Sequence, residues 1–89
     1  ILDATDEETM VDVVGPLCET GDMIARERKM KLPRVGSYLI VEGAGAYGYS
    51  MSNNYNSTLR AAEVLISGKG DQLIRRRETL DDLFRSVIM

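Results

Sequence analysis

The apolar residues of this chain occur in short runs separated by glycine, proline and asparagine, and only the last segment repeats with a helical period. A chain divided in this way can form short strands joined by turns, but it has few places for a long helix. The strand candidates are MVDVVG (10–15), DMIAR (22–26), SYLIVE (37–42), AAEVLIS (61–67) and DQLIRRR (71–77). SYLIVE is the strongest of them because it is β-branched, aromatic and short.

Local signals near the end of the chain predict a hairpin followed by a helix. GKG, at 68–70, lies between the last two strand candidates, and glycine at a turn favours a β-hairpin. Thr79 is a candidate N-cap, with Asp82 at the N3 position of a capping box. The apolar residues after Thr79 recur at helical spacing: Leu80, Leu83, Phe84, Val87 and Ile88. We therefore expect residues 1–89 to form one small, mainly β domain, a barrel or sandwich, with one C-terminal helix.

Composition limits the expected partners and compartment. The 89 residues carry a formal net charge of −3, which gives no electrostatic reason to expect nucleic acid or an anionic membrane as a partner. The longest aliphatic run, LIV, is far shorter than a membrane span. A single cysteine cannot form an internal disulfide, which favours a reducing cytoplasm. The chain opens ILDATDEETM without an initiator methionine, so we expect it to be a piece of a larger protein.

Three glycines, Gly43, Gly45 and Gly48, have the G-x-G-x-x-G spacing of a dinucleotide-binding loop, and the acidic Glu63 follows them. That loop needs a helix after it, because the helix N-terminus holds the pyrophosphate. The residues that follow are YSMSNNYNS, whose serines and asparagines compete for backbone hydrogen bonds. We therefore interpret the glycines as a bulged or bent β segment, and not as a nucleotide site.

A second unusual stretch, VVGPLCETGD at 13–22, places Cys18 and Glu19 between Gly-Pro and Gly-Asp, and therefore on a loop. A lone cysteine is often a small buried hydrophobe, and a lone glutamate is ordinarily solvated surface. A thiol beside a carboxylate on a glycine-bounded loop favours a site, because loops on a β scaffold commonly carry function. One cysteine and no histidine exclude both a Cys–His pair and a zinc site within the chain.

Four segments occur in an order and spacing that resemble one family: VVGPLCETGD, GAGAYGYSMSNNYNS, RAAEVLI and LIRRRETLDDLF. Over residues 10–84 they are similar to the C-terminal β-domain of diaminopimelate decarboxylase. That family belongs to the pyridoxal-phosphate decarboxylases of the alanine-racemase-like fold, which also include ornithine and arginine decarboxylases. The combination of C-E-T-G-D, G-A-Y-G and R-R-E-T is much more specific than a lone glycine motif.

The resemblance implies a role for each of three residues. Cys18 matches a loop cysteine that reaches into the partner subunit's active site in a homodimer and protonates the carbon from which CO₂ has left. Glu19 matches an acidic residue that contacts the distal amino-acid end of the substrate, where ornithine decarboxylases carry Asp. Tyr47 matches a tyrosine whose hydroxyl contacts the phosphate of pyridoxal 5′-phosphate and whose ring lies near the substrate.

These residue types suit that chemistry. Pyridoxal phosphate acts as the electron sink, so the protein needs only to bind, orient and protonate. The Glu19 carboxylate can pair with a substrate ammonium, and the Tyr47 phenol can donate to a phosphate without adding charge. The Cys18 thiol can donate a proton because the reference pKa of cysteine lies near physiological pH.

The resemblance also implies parts that the chain lacks. Family members bind the cofactor through a lysine in an N-terminal (β/α)₈ barrel. Lys29 and Lys31, which we expect in a charged loop, and Lys69, in the expected hairpin turn, do not match that lysine. We therefore expect these residues to be inactive alone and to act as the C-terminal β-domain of a two-domain enzyme, with the barrel as a partner.

The resemblance thus implies a cytoplasmic lyase of lysine biosynthesis that converts meso-diaminopimelate to L-lysine and CO₂ at a dimer-interface site. Two alternatives stay open. The first is a related decarboxylase acting on ornithine, arginine or lysine, against which Glu19 in place of Asp argues modestly. The second is a non-catalytic, stand-alone β module that dimerises or regulates a partner. The presence of Cys18, Glu19 and Tyr47 together argues against the second.

One charged segment and one apolar helix face have simpler interpretations than a binding site. The run RRRE at 75–78 could bind an anion, but ion pairs with Asp81 and Asp82 or a solvated face are the favoured interpretation. The apolar face of 80–88 is expected to pack within the domain.

Overall fold

The computed structural model describes residues 1–88, which lie in two compact units, 1–42 and 43–88. Each unit contains one two-stranded antiparallel sheet, so the prediction of a mainly β fold is confirmed. The expectation of one domain over 1–89 stays a prediction. Among the described residues, no helix is both long and apolar enough to cross a membrane. In chain order the elements are β1 (Ala4–Val14), β2 (Met23–Pro33), α1 (Gly45–Gly48), a 3₁₀ turn (Tyr55–Ser57), β3 (Glu63–Ser67), β4 (Gly70–Arg75) and α2 (Leu80–Phe84).

The first unit is built on the long hairpin of β1 and β2. The expectation that the lysines of ERKMK lie in a charged loop is wrong, because Lys29 and Lys31 belong to β2. Opposite charges face each other across this hairpin, and Lys29 Nζ lies 3.9 Å from Glu8 Oε2. Cross-strand pairs of opposite charge let a polar sequence form a solvated strand. The charges in ERKMK therefore indicate that this strand is exposed to solvent, and they do not indicate a loop.

The pairing of β1 with β2 is irregular next to Asp12. Glu27 has a φ of 50° at this point, and its backbone N–H donates to Asp12 Oδ1 at 2.7 Å. A side-chain carboxylate thus accepts a hydrogen bond that a regular ladder would give to a backbone carbonyl. The irregularity is a β-bulge that lies between the acidic half of β1 and the strand end that leads into the next loop.

The strongest strand candidate, SYLIVE at 37–42, is not a strand in the structure. Its apolar side chains are exposed, with 71% of Tyr38 and 67% of Ile40 accessible. The carbonyl of Tyr38 accepts a hydrogen bond from Leu2 N at 3.1 Å, but no described strand pairs with the segment. β-Propensity reflects how well a residue fits a sheet, so the segment stays irregular where a pairing strand is missing.

The second unit contains the hairpin of β3 and β4, as GKG predicted. Ser67 pairs with Gly70, and Gly70 has a φ of 103°, a conformation that glycine adopts without steric cost. Lys69 lies in the turn between the strands, as expected. The turn position of this hairpin could therefore be predicted from local sequence alone.

The C-terminal helix begins at the predicted cap. The carboxylate of Asp82 accepts a hydrogen bond from Thr79 N at 2.8 Å, which confirms the capping box. The helix ends at Phe84, earlier than the apolar pattern indicated. The expected packing of this face is not observed, since Leu80 and Phe84 are 63% and 56% exposed.

Candidate functional site

Asp22 closes the loop that carries Cys18 and Glu19. The carbonyl of Asp22 accepts a hydrogen bond from Gly15 N at 3.0 Å, and its own N–H donates to the Glu19 carbonyl at 3.0 Å. Asp22 Oδ2 accepts the Leu17 N–H at 2.8 Å. One residue therefore ties the ends of the loop together and also holds its middle.

Gly15 makes this closure possible. A Cβ placed on Gly15 would clash with the Asp22 carboxylate. That carboxylate is held by Leu17, so a larger residue at position 15 would break the hydrogen bond or displace the loop. The glycine thus allows the end of β1 to lie directly against the side chain that organises the loop.

Cys18 and Glu19 are adjacent and exposed between β1 and β2, so the prediction that they lie on a loop is confirmed. Asp22 holds the backbone of their loop, while both residues are exposed. A thiol and a carboxylate held in this way can act on a molecule that approaches from outside the unit. The pair can offer one proton donor and one negatively charged acceptor.

Tyr47 lies in α1, and 61% of its side chain is exposed. Its N–H donates to the Ala44 carbonyl at 2.9 Å, and its carbonyl accepts from Met51 N at 3.0 Å. The backbone of Tyr47 is therefore part of a hydrogen-bonded helical turn, and its phenol is accessible from outside.

The interpretation of the glycines as a bent β segment is wrong, because the segment forms a short helix. Gly43 has a φ of 67°, which favours glycine, and Gly45 and Gly48 begin and end the four-residue helix α1. Such a short helix also cannot serve as the phosphate-binding helix of a dinucleotide fold. The glycines start and bound the helical turn on which Tyr47 lies.

Tyr49 follows this turn and lies against two arginines. The Cζ atoms of Arg60 and Arg75 are 3.6 and 3.7 Å from the centroid of the Tyr49 ring. Nη2 of Arg60 also donates to the Tyr49 carbonyl at 2.7 Å. Sequence reasoning missed this cluster, because its members are 11 and 26 residues from Tyr49 and follow no helical or strand period.

The predicted ion pair between the RRRE run and the helix is confirmed. Arg76 contacts Asp82 through Nη1–Oδ2 at 2.6 Å and Nη2–Oδ1 at 2.9 Å. The pKa of Asp82 is well below its usual range, chiefly because of the Arg76 hydrogen bond and next because of the Thr79 N–H. The pKa of Arg76 is raised by the same bond. Arg75 forms its ion pair with Glu63 instead.

The three expected site residues fall in different units: Cys18 and Glu19 in the first, Tyr47 in the second. The neutral, exposed phenol of Tyr47 fits a supporting contact to a cofactor phosphate, but one such donor could not hold the cofactor. The three lysines of the chain were not expected to bind the cofactor. Lys29 and Lys31 lie on β2, and Lys69 lies in a hairpin turn. The cofactor-binding role expected of Tyr47 therefore stays a prediction.

Comparison with known proteins places these features in a family. Residues 2–45 match the family model described as "Pyridoxal-dependent decarboxylase, C-terminal sheet domain". The chain is 51% identical over 78 residues to diaminopimelate decarboxylase of Haemophilus influenzae, covering 88% of the chain and 19% of that relative. It is 49% identical over 82 residues to diaminopimelate decarboxylase of Archaeoglobus fulgidus, covering 92% of the chain and 19% of that relative.

Solved structures agree with the sequence comparison. A crystal structure from Aquifex aeolicus matches with a TM-score of 0.83 and 44% identity, covering 93% of this chain and 21% of that one. Diaminopimelate decarboxylase of M. jannaschii, in complex with L-lysine, matches with a TM-score of 0.74 and 39% identity, covering 97% of this chain and 20% of that one. The chain therefore spans about a fifth of the length of these relatives. With these matches across nearly all of its residues, the chain belongs to the C-terminal sheet domains of the pyridoxal-dependent decarboxylases.

Proposed function

We propose that the protein containing these residues is a diaminopimelate decarboxylase, which converts meso-diaminopimelate to L-lysine and CO₂ in lysine biosynthesis. The observation that carries the proposal is an identity of 51% and 49% with two relatives of that name over 88% and 92% of the chain. The complex of the M. jannaschii relative with L-lysine supports the same product.

Tyr47 is proposed to bind the cofactor. When bound, pyridoxal phosphate supplies the electron sink that makes loss of CO₂ possible. The exposed phenol of Tyr47 donates a hydrogen bond to the phosphate and adds no net charge to the site. The backbone bonds of α1 hold the main chain from which that phenol projects.

Glu19 is proposed to recognise the far end of the substrate. Diaminopimelate carries a second amino-acid group there, with both an ammonium and a carboxylate. The Glu19 carboxylate accepts hydrogen bonds from that ammonium, and charge-assisted bonds of this kind are about twice as strong as neutral ones. The exposure of Glu19 on a closed loop leaves its carboxylate available to a ligand.

Cys18 is proposed as the catalytic acid. Its thiol would donate a proton to the carbon that has lost CO₂, so that a C–H bond replaces the broken C–C bond and a thiolate is left. A positioned acid of this kind typically contributes about 10²–10⁴-fold to a rate. The Asp22 bond to Leu17 fixes the backbone from which the thiol must reach.

The surface of the chain supports further partners. Large apolar side chains are exposed in both units, and exposed apolar patches are typical of interaction sites. We propose that a cofactor-binding barrel of the same protein and a second subunit cover them, with Cys18 acting in the partner subunit's site in the cytoplasm. The exposed apolar residues include Tyr38, Ile40, Leu80, Phe84 and Ile88.

The test is CO₂ release by the full-length gene product, supplied with pyridoxal phosphate and given meso-diaminopimelate, ornithine, arginine or lysine. The proposal predicts release from meso-diaminopimelate, and a KM raised about tenfold or more in Glu19→Ala because a charge-assisted contact is lost. Preference for ornithine, arginine or lysine would instead assign the protein to the related decarboxylases. Binding of a partner with no release from any substrate would support the non-catalytic module.

A further inference from the structure

Two guanidinium groups stack on the ring of Tyr49. The Cζ atoms of Arg60 and Arg75 lie 3.6 and 3.7 Å from the ring centroid, well within the range of cation–π attraction. Two planar guanidinium groups cannot share one face of a ring at these distances, so they lie on opposite faces. The ring is therefore held from both sides, which fixes the residue that follows α1.

Arg60 also binds the backbone of the same residue. Its Nη2 donates to the Tyr49 carbonyl at 2.7 Å, and its Nε donates to Ser52 Oγ at 2.8 Å. Ser52 Oγ in turn donates to the Tyr49 carbonyl at 2.6 Å, and Ser52 N donates to the same carbonyl at 3.0 Å. One carbonyl at the end of a helical turn thus accepts three hydrogen bonds, one of them from a cation.

The turn that carries Tyr47 needs this support. α1 has only four residues, and its N-cap, Ala44, makes no side-chain hydrogen bond. A helix of one turn is unstable by itself, because nucleation fixes several dihedral angles for few hydrogen bonds. The last carbonyls of a helix also require partners from outside it, and Arg60 supplies one at Tyr49, the C-cap.

The two arginines are themselves anchored. Glu78 Oε2 accepts a hydrogen bond from Arg60 N at 2.7 Å, and Glu78 N donates to the Arg60 carbonyl at 3.1 Å. Arg75 forms an ion pair with Glu63, its cross-strand neighbour in the β3–β4 hairpin. The backbone of Arg60 and the side chain of Arg75 are therefore both held in place. The β3–β4 hairpin supports the ring of Tyr49 through Arg75.

We propose that Tyr49, Arg60 and Arg75 form a clamp that positions the Tyr47 phenol for the cofactor phosphate. We name these three residues the arginine–tyrosine clamp. They are positioning residues, because they act through the backbone of the turn that carries Tyr47. The inference rests on the proposed function only in taking pyridoxal phosphate as the ligand of Tyr47.

The experiment measures the Kd of pyridoxal phosphate for the cofactor-free, full-length protein, by the change in cofactor absorbance. We expect Arg60→Ala to raise that Kd about tenfold, as Tyr47→Phe should through loss of one hydrogen bond to a charged group. The double variant with both Arg60→Ala and Tyr47→Phe should have a Kd no higher than that of Tyr47→Phe alone, because the clamp acts through that phenol. Arg77→Ala is the matched control, since it removes the same charge nearby without touching the clamp, and its Kd should stay at the wild-type value.

One further variant separates positioning from mere stability. Arg60→Lys folds with less disturbance but lacks the planar fork that stacks and donates twice, so it should raise the Kd as Arg60→Ala does. The ³¹P shift of bound cofactor should move in Arg60→Lys and not in the control Arg77→Ala.

The outcomes that would overturn the clamp differ from those that would overturn the function. Additive effects of Arg60→Lys and Tyr47→Phe on the Kd, or an unchanged Kd in Arg60→Lys, would refute positioning through Tyr47. Tight cofactor binding by the wild type without CO₂ release would refute the proposed reaction and leave the clamp intact. Failure of the wild type to bind pyridoxal phosphate would refute both.

Discussion

Asp22 Oδ2 lies 2.8 Å from the backbone nitrogen of Leu17, so one carboxylate sets the path of the loop that carries Cys18 and Glu19. The same residue joins the two ends of the loop through its backbone. The backbone of the loop therefore depends on the hydrogen bonds of Asp22.

The first prediction concerns this closure. Asp22→Ala should reduce kcat on meso-diaminopimelate about tenfold or more, because a 1 Å displacement of reacting groups can cost about 10²-fold. It should lower the free energy of unfolding by only about 1 kcal/mol, the usual net value of one hydrogen bond. Steady-state kinetics and urea unfolding of the full-length protein measure the two effects.

Gly15→Ala should reproduce that loss of kcat, since its Cβ would clash with the Asp22 carboxylate. Gly68→Ala is the matched control, because an added Cβ would meet no atom within 4 Å there. Wild-type kcat in Asp22→Ala and Gly15→Ala would show that the loop does not need its closure for activity.

The second prediction concerns where Cys18 acts. Cys18→Ala should be nearly inactive, and so should a variant lacking the cofactor-binding lysine that we place elsewhere in the full-length protein. If Cys18 serves the partner's site, random mixed dimers should regain about a quarter of wild-type activity, since half are heterodimers with one intact site of two. Co-expression of the two variants followed by CO₂ assay measures the regain. No regain in dimers shown to contain both subunits would place Cys18 in its own subunit's site.

The third prediction concerns the turn before Tyr47. Gly43 has a φ of 67°, so Gly43→Ala should destabilise the protein by about 1 kcal/mol through backbone strain. Gly45→Ala is the control, because that residue lies in α1 without a positive φ, and alanine favours a helix by about 0.5–1 kcal/mol. Thermal unfolding compares the two. Equal destabilisation by both would contradict the observed turn.

The fourth prediction is a pH dependence at α2. The pKa of Asp82 is lowered in the folded protein, so its contribution to stability is present above the unfolded pKa of about 3.9 and is lost as pH falls below that value. The difference in unfolding temperature between wild type and Asp82→Asn should therefore be largest near neutral pH and shrink below about pH 4. Asp81→Asn, the adjacent carboxylate outside the capping box, is the control. A difference that stays constant with pH would contradict the assigned ion pair.

The sequence predicted those parts of the fold that depend on near neighbours. The hairpin around Lys69 and the cap of α2 at Thr79 follow from turn and capping chemistry within a few residues, and both are confirmed. The prediction of a strand at 37–42 was wrong because a strand also needs a distant partner, which propensity does not supply. The helical turn at Gly45 was not predicted for a similar reason, because one of its stabilising contacts comes from Arg60.

The candidate site shows the same division. Cys18, Glu19 and Tyr47 could be proposed from their segments, whose family pattern is continuous in sequence. The residues that hold them were missed: Asp22 acts through a loop hydrogen bond, and Arg60 acts through a ring that is 11 positions away. No periodic signal marks such contacts, so only a structure brings them together.

The measurement that tests the central claim most directly is CO₂ release from meso-diaminopimelate by the full-length protein, wild type beside Cys18→Ala. We predict release that requires pyridoxal phosphate and falls about 10²-fold or more when the thiol is removed. Equal release by the two proteins would contradict the role of Cys18, and no release by a wild type that binds the cofactor would contradict the proposed reaction.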